Sequence, residues 1–130
     1  MNASVPLEVR RLFDALARSP DPVFVTDRQN LIIFWNLSAE RLLGYTSEEV
    51  VGESCYGRLK GCDVYDNRYC SETCPVTQMA ARSETIRHFD LHLTAKGGRD
   101  VLVDVSILNF TWEQPESFFL AHVLRPKEFS

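Results

Sequence analysis

The sequence predicts a single α+β domain in which short helices cover one face of an antiparallel sheet. The chain has 130 residues and is 45% hydrophobic, which suits one domain with its own core. Strand pairs are signalled near both ends of the chain, and short helices are signalled before and between them. A domain of this length buries roughly two thirds of the surface that its unfolded chain exposes, so it needs no disulfide or metal to fold.

The first predicted element is an amphipathic helix that ends before Pro20. Its apolar residues recur at helical spacing and leave a charged opposite face; they are Val5, Val9, Leu12, Phe13 and Leu16. We therefore predict that residues 1–19 form a flanking helix. Two interpretations stay open, because the helix either lies on its own core or packs on a second copy of the chain in a homodimer.

A hairpin follows this helix. Residues 23–27 are an apolar stretch after Pro22, and residues 31–35 are a second one. Asp27 to Asn30 between them have turn chemistry, in which the Asp27 carboxylate binds backbone amides. Asn36 then caps a short helix that ends at Gly44.

More short helices are predicted in the middle of the chain. Thr46 and Glu49 form a capping box for a helix that stops at Gly52. Residues 53–73 are rich in helix breakers and are predicted to be irregular. Pro75 suits the first position of a helix over residues 75–82.

Three strands complete the chain. Apolar and polar residues alternate over residues 88–93 and 101–108, and Lys96 to Arg99 form the turn between these strands. Residues 113–116 are predicted to be a polar loop, and residues 118–124 are predicted to be the last strand.

Four segments resemble the PAS family of sensor domains. They are Pro22–Asp27, Phe34–Asn36, Ala39–Tyr45 and Ser47–Gly52, which carry the family's strand, asparagine, helix, Gly-Tyr, Glu-Glu and glycine markers in its order. The resemblance implies a PAS sensor domain over residues 20–126, with a five-stranded antiparallel sheet and short helices around a cavity. It implies a non-catalytic protein.

A second resemblance concerns the output of the protein. Cys55, residues 61–63, Asn67, residues 70–75 and the ending His122–Pro126 are similar to PAS sensor domains of LuxR-type bacterial transcription regulators. In such proteins a helix-turn-helix domain follows. This chain ends at Ser130, so we expect contact with DNA only through a separate domain outside it.

Strand alternation predicts the residues that face the helices. We assign to this inner face Phe24, Thr26, Phe89, Leu91, Leu93, Val103, Val105, Ile107, Phe119, Ala121 and Val123, with Cys55, Leu59 and Met79 closing the far side. The lining is apolar, so it is either a filled core or a pocket for a small apolar molecule, where the small Ala121 leaves room. Leu102, Leu108, Phe118, Leu120 and Leu124 are assigned to the outer face, where the N-terminal helix docks.

The cysteines offer an alternative function. Cys55, Cys62, Cys70 and Cys74 have the spacing C-x6-C-x7-C-x3-C. Four thiolates satisfy zinc or an iron–sulfur cluster, but the usual C-x2-C pair is missing. Reduced thiols, a loop disulfide and a redox-sensing pair at Cys70 and Cys74 are the other interpretations.

Flavin and haem are both disfavoured, and the ligand stays unidentified. Cys55 occupies the place of the reactive cysteine in flavin-binding PAS domains, but Leu93, Val103 and Val123 stand where those domains carry amides. The helix at 75–82 lacks the histidine that haem-binding PAS domains place there, and His88, His92 and His122 are predicted to point away from the cavity. No nucleophile elbow or phosphate-binding loop is present in the sequence, which argues against an enzyme.

Charge and targeting signals restrict the partners further. The net charge is −4 without a basic cluster, which argues against nucleic-acid binding by this chain. No apolar run approaches the roughly 20 residues that span a bilayer, and the start of the chain has no signal-peptide core. We therefore expect a cytoplasmic protein that does not bind membranes.

Overall fold

The computed structural model describes residues 7–62, 65, 75–82, 88–112 and 114–127. The helices are α1 (Leu7–Ala17), α2 (Leu37–Leu43), α3 (Ser47–Val50), α4 (Cys55–Leu59) and α5 (Pro75–Ala81). The strands are β1 (Val23–Thr26), β2 (Ile32–Trp35), β3 (Phe89–Thr94), β4 (Asp100–Trp112) and β5 (Gln114–Pro126). Apart from α4, the order of elements along the chain is the predicted one.

The strands form one antiparallel sheet in the order β2-β1-β5-β4-β3. The last strand in sequence therefore lies at the centre and pairs with both β1 and β4. The predicted five-stranded antiparallel sheet is confirmed. Its inner face packs against the short helices between β2 and β3, and α1 contacts its outer face.

The predicted turns and caps are present. Oδ1 of Asp27 accepts hydrogen bonds from the amides of Gln29 and Leu31. Asn36 caps α2, which ends at Gly44 with a φ of 82°, a backbone conformation that glycine adopts without steric cost. Thr46 and Glu49 form the predicted capping box at α3.

Two boundaries differ from the prediction. Helix α4 occupies part of the segment that was predicted to be irregular; its burial of Leu59 compensates for a start that lacks a side-chain cap. Residues 114–116 belong to β5 instead of a polar loop, because β4 and β5 stay paired up to Trp112 and Gln114.

The outer face of the sheet is partly covered by α1. The Phe13 ring of α1 stacks on the Phe34 ring of β2, with centroids 4.9 Å apart. Val9 of α1 is buried, and so are Val25 and Ala121 on the sheet. Leu7 and Leu12 of the same helix are exposed, so α1 uses one of its sides for this contact.

Candidate functional site

The pairing register defines the inner face of the sheet, because directly opposed residues point to the same side. Phe24 is opposed to Trp35 and to His122, and Ile107 is opposed to His122 on the other side of β5. Leu91 is opposed to Val103. The register and the core packing place eight of the predicted residues on the inner face: Phe24, Thr26, Phe89, Leu91, Leu93, Val103, Val105 and Ile107. Their contact with a ligand stays a prediction.

The prediction for β5 is wrong by one residue. The register places Phe119, Ala121 and Val123 on the outer face, and it places Phe118, Leu120, His122 and Leu124 on the inner face. The physical reason is the position of β5 at the centre of the sheet, where both faces are covered and both sets of side chains, apart from His122, are apolar. Ala121 therefore creates no space on the inner side; its small side chain lies on the face that α1 contacts.

The remaining predicted lining residues lie on the helices. Leu59 of α4 is fully buried in the main core, and Cys55 at the start of α4 is half-buried against the same core. Met79 of α5 is half-buried. Leu59 is therefore a core residue, while Met79 keeps part of its surface accessible.

The inner core consists of two clusters. The main cluster contains inner-face side chains of β1 to β4 and Leu124 of β5, together with residues of α2, α3 and α4. The second cluster is formed by Val76 and Ala80 of α5 against Phe118 and Leu120 of β5. Phe89 and Ile107 pack against both clusters and stay half-buried. We call the place where the two clusters meet the junction, and we define it by Phe89, Ile107 and His122.

The junction is the part of the inner face, among the described residues, where apolar strand side chains next to α5 keep partial exposure. Leu91, Val103, Val105 and Leu124 around it are buried. His122 is half-buried although it lies on the central strand. Side chains at this level are therefore less tightly covered than the buried residues of the main cluster.

His122 is the polar side chain of the junction. Its ring stacks on the Phe24 ring, with centroids 4.3 Å apart and an interplanar angle of 11°. Its Nδ1 atom lies 3.0 Å from the carbonyl oxygen of Leu120. Burial lowers the pKa of His122 to about 4, although hydrogen bonds to the backbone of Leu120 and Phe24 act in the opposite direction. The imidazole is therefore neutral at pH 7.

Sequence alternation missed His122, since it was predicted to point away from the cavity. The signal that would have found it is side-chain size. Phe118, Leu120 and Leu124 are larger than Ala121 and Val123, and the bulkier set belongs to the core of the sheet. His122 lies on the same face of β5 as these bulkier residues.

The predictions for the other two histidines are confirmed. His92 lies on the outer side of β3, His88 comes directly before this strand, and the side chains of both contact aspartates of β4. Nδ1 of His88 is 3.0 Å from Oδ1 of Asp104, and Nδ1 of His92 is 2.9 Å from Oδ2 of Asp100. These are exposed pairs at one end of the sheet and are remote from the inner face.

A groove of about 570 Å³ lies between α1, β2 and the end of α3. Phe13, Phe34, Trp35 and Val51 give it apolar walls, and Ser47 and Glu48 contribute polar groups. The groove follows the contact through which α1 is attached to the sheet.

The cysteine alternative concerns residues in two regions. Cys55 and Cys62 are half-buried, and Cys62 forms an isolated β-bridge with His92. Cys70 and Cys74 lie outside the described residues. Within the part of the chain that the structure describes, no three His, Cys, Asp or Glu side chains lie together as a metal site.

Among the described residues, no helix is long and apolar enough to cross a membrane.

Comparisons with known proteins agree with this geometry. The family model described as PAS fold matches residues 7–122. The PAS domain of an HTR-like protein from Haloarcula marismortui is similar, with 21% identity, a TM-score of 0.66 and coverage of 92% of both chains. The PAS domain of nitrogen regulation protein NR(II) from Vibrio parahaemolyticus has 16% identity and a TM-score of 0.67, over 89% of this chain and 97% of that chain.

A LOV protein from Rhodobacter sphaeroides has 11% identity and a TM-score of 0.72, over 95% of this chain and 69% of that chain. No curated protein matches the sequence. The structural neighbours share the fold at low identity, whereas the family model covers most of the sequence. The chain therefore belongs to the PAS family.

Proposed function

We propose that this PAS domain is a sensor that binds a small apolar molecule at the junction and catalyses no reaction. The observation that supports this proposal is the partial exposure of Phe89, Ile107 and His122, beside a main cluster whose inner side chains are buried. Apolar residues with one polar group among them are typical of sites for small molecules. The sensor is proposed to work in the cytoplasm.

The proposed output is transmitted through α1. Asn36 is bonded both to β1 and to the carbonyl oxygen of Leu16 in α1, so a change at β1 has a direct route to the flanking helix. We propose that α1 also joins two copies in a homodimer. The cysteine-rich segment and the ending His122–Pro126 favour transcription control through a LuxR-type DNA-binding domain outside this chain.

Two neighbouring tryptophan substitutions test the ligand site. Ile107→Trp fills the junction, whereas Leu108→Trp adds the same bulk on the outer face, where Leu108 is 54% exposed. We expect toluene and indole to raise the melting temperature of the wild type and of Leu108→Trp. A ligand at ten times its Kd stabilises by about 1.4 kcal/mol, or roughly 3–6 °C for a domain of this size.

Ile107→Trp is expected to show no such rise, because its indole occupies the space. Equal rises in the melting temperature of both variants would show that the compounds bind outside the junction. If no apolar compound stabilises the wild type while it sediments as a dimer, the domain is a ligand-free dimerisation module. Bound zinc, or iron with absorption between about 300 and 450 nm, would instead support the cysteine-based sensor.

A further inference from the structure

The groove between α1, β2 and the end of α3 has the size of a small-molecule site. Its volume of about 570 Å³ lies within the range of roughly 300–1,000 Å³ that is usual for such sites. The stacked rings of Phe13 and Phe34 line it, and both side chains are half-buried. Ile33 and Val51 are half-buried as well and extend the apolar lining. Apolar surface therefore stays accessible in the groove although α1 is packed on the sheet.

Ser47 and Glu48 bring the polar side-chain atoms that face a ligand in this groove. Trp35 adds none, because its Nε1 atom already donates to the carbonyl oxygen of Tyr45 at 3.0 Å. Within the described part of the chain, neither the hydroxyl of Ser47 nor the carboxylate of Glu48 has a hydrogen-bond or ion-pair partner. Both groups can therefore accept hydrogen bonds from a bound molecule.

The charge of the groove is negative. Each of the other glutamates from α2 to the start of α4 already has a partner. These pairs are Glu40 with the Ser47 amide, Glu49 with Lys96, and Glu53 with Arg58. Glu48 is exposed, and no lysine, arginine or histidine is among the described residues that line the groove. One uncompensated carboxylate therefore lies beside aromatic rings.

We infer that this groove binds a small organic cation with an aromatic ring, such as a primary arylalkylamine, whose ammonium group donates to Glu48 and Ser47 and whose ring packs on Phe13 and Phe34. An ammonium group has three donors and is attracted both by a carboxylate and by the faces of aromatic rings. A ligand that carries a carboxylate is repelled by Glu48. The inference is independent of any ligand at the junction.

Three probes that carry the same ring and differ in charge test this inference. They are 2-phenylethylamine, 2-phenylethanol and 3-phenylpropionate. Titration of the full chain at pH 7 and low ionic strength, followed by nuclear magnetic resonance, is expected to give the amine at least about fivefold higher affinity than the alcohol, because an exposed ion pair and a cation–π contact together contribute on this scale. The carboxylate should bind more weakly than the alcohol. Equal affinity of the amine and the alcohol, or no binding of the amine, would overturn the inference.

Two glutamine substitutions identify the carboxylate. Glu48→Gln removes the charge from the groove, so we expect the preference for the amine over the alcohol to fall to less than twofold. Glu53→Gln is the matched control, since it removes the same charge from a residue that does not line the groove, and it should keep the fivefold preference. A preference that survives in Glu48→Gln, or that falls equally in both variants, would contradict recognition by Glu48.

The same spectra locate the bound amine. We expect it to shift the amide signals of Ser47 and Val51 and to leave those of Ile107 and His122 unchanged. Shifts that centre on Ile107 and His122 instead would place the amine at the junction and overturn the inference.

A substitution in α1 tests the aromatic wall. Phe13→Leu keeps an apolar side chain in the contact between α1 and β2 but removes one ring, so the affinity for the amine should fall at least about threefold. Leu12→Ala changes the exposed neighbour of Phe13 outside the groove lining and should keep the affinity of the wild type. Unchanged affinity in Phe13→Leu would contradict packing of the ligand between α1 and the sheet.

Discussion

Asn36 shows how one residue joins three segments of this fold. Its side-chain oxygen accepts from the amides of Val23 and Ala39, and its Nδ2 atom donates to the carbonyl oxygens of Leu16 and Asp21. The residue is 3% exposed, so water does not replace these four bonds when they are lost. A helix cap in this position therefore also fixes the end of α1 and the start of β1.

Replacing Asn36 by alanine is expected to lower the free energy of unfolding by roughly 2–4 kcal/mol, since the cap and the buried backbone partners are lost together. Thr46→Ala removes the more exposed cap of α3 and is expected to cost only about 1 kcal/mol. Urea denaturation of both variants measures the difference. Equal losses would contradict the role of Asn36 as a buried connection.

His122 is expected to make stability depend on pH. Its pKa is about 4 in the folded protein and about 6.5 in the unfolded chain, so the unfolded state binds the proton more tightly. The contribution of the neutral ring is complete above pH 6.5 and is lost as the pH falls towards 4. Between pH 7 and pH 5 we expect a loss of about 2 kcal/mol from this residue.

The control is His122→Phe, which has no titrating ring at this position. Urea denaturation at pH 7 and pH 5 should show a smaller loss in the variant, by about 2 kcal/mol. Both proteins keep His88 and His92, so the comparison isolates the effect of position 122. The same pH dependence in both proteins would mean that His122 is accessible to protons in the folded state.

At the scale of elements, capped helices were more predictable than the uncapped one. Asn36, Thr46 and Pro75 mark helix starts through their own chemistry, and the structure confirms all three starts. Helix α4 escaped prediction because Ser54 makes no side-chain cap and Gly57 lies within it. What holds α4 is the burial of Leu59, a tertiary contact that local sequence does not reveal.

The side-chain orientation of β5 was the main error, and adjacent phenylalanines test the corrected version. Phe118 is 1% exposed and packs against α5, whereas Phe119 stacks on Phe110 on the outer face. Phe118→Ala should cost about 3–5 kcal/mol of stability. Phe119→Ala should cost about 1 kcal/mol, in line with the loss of one aromatic pair. Denaturant titration checks both, and the reverse order would restore the original assignment.

At the scale of the whole molecule, the candidate site depends on pairings between distant parts of the sequence. Alternation within β3 and the first half of β4 predicted Leu91, Leu93, Val103 and Val105 correctly, because their outer neighbours include charged residues. It failed for β5 because a strand at the centre of the sheet is apolar on both sides. The register of β5 against β1 and β4 decides the orientation, and only the folded structure supplies it.

A series of contacts leads from His122 on the inner face of the sheet to helix α1. His122 stacks on Phe24, the neighbouring Val23 donates its amide to Asn36, and Asn36 donates to Leu16 of α1. A ligand at the junction alters α1 through this connection only if it binds two arrangements of these residues with different affinity. The contacts from His122 to Leu16 therefore predict that a ligand at the junction changes the stability of α1.

We expect saturating toluene to slow amide hydrogen exchange in α1 at least about fivefold, which corresponds to the lower end of usual coupling energies. In Asn36→Ser the hydroxyl still caps α2, but the bonds of Nδ2 to Leu16 and Asp21 are lost, so toluene should change exchange in α1 less than twofold. Exchange is measured by mass spectrometry on peptides that cover residues 7–17. Protection around His122 without any change in α1 would show that the ligand site and the flanking helix are uncoupled, whereas full protection of α1 in Asn36→Ser would place the connection in other residues.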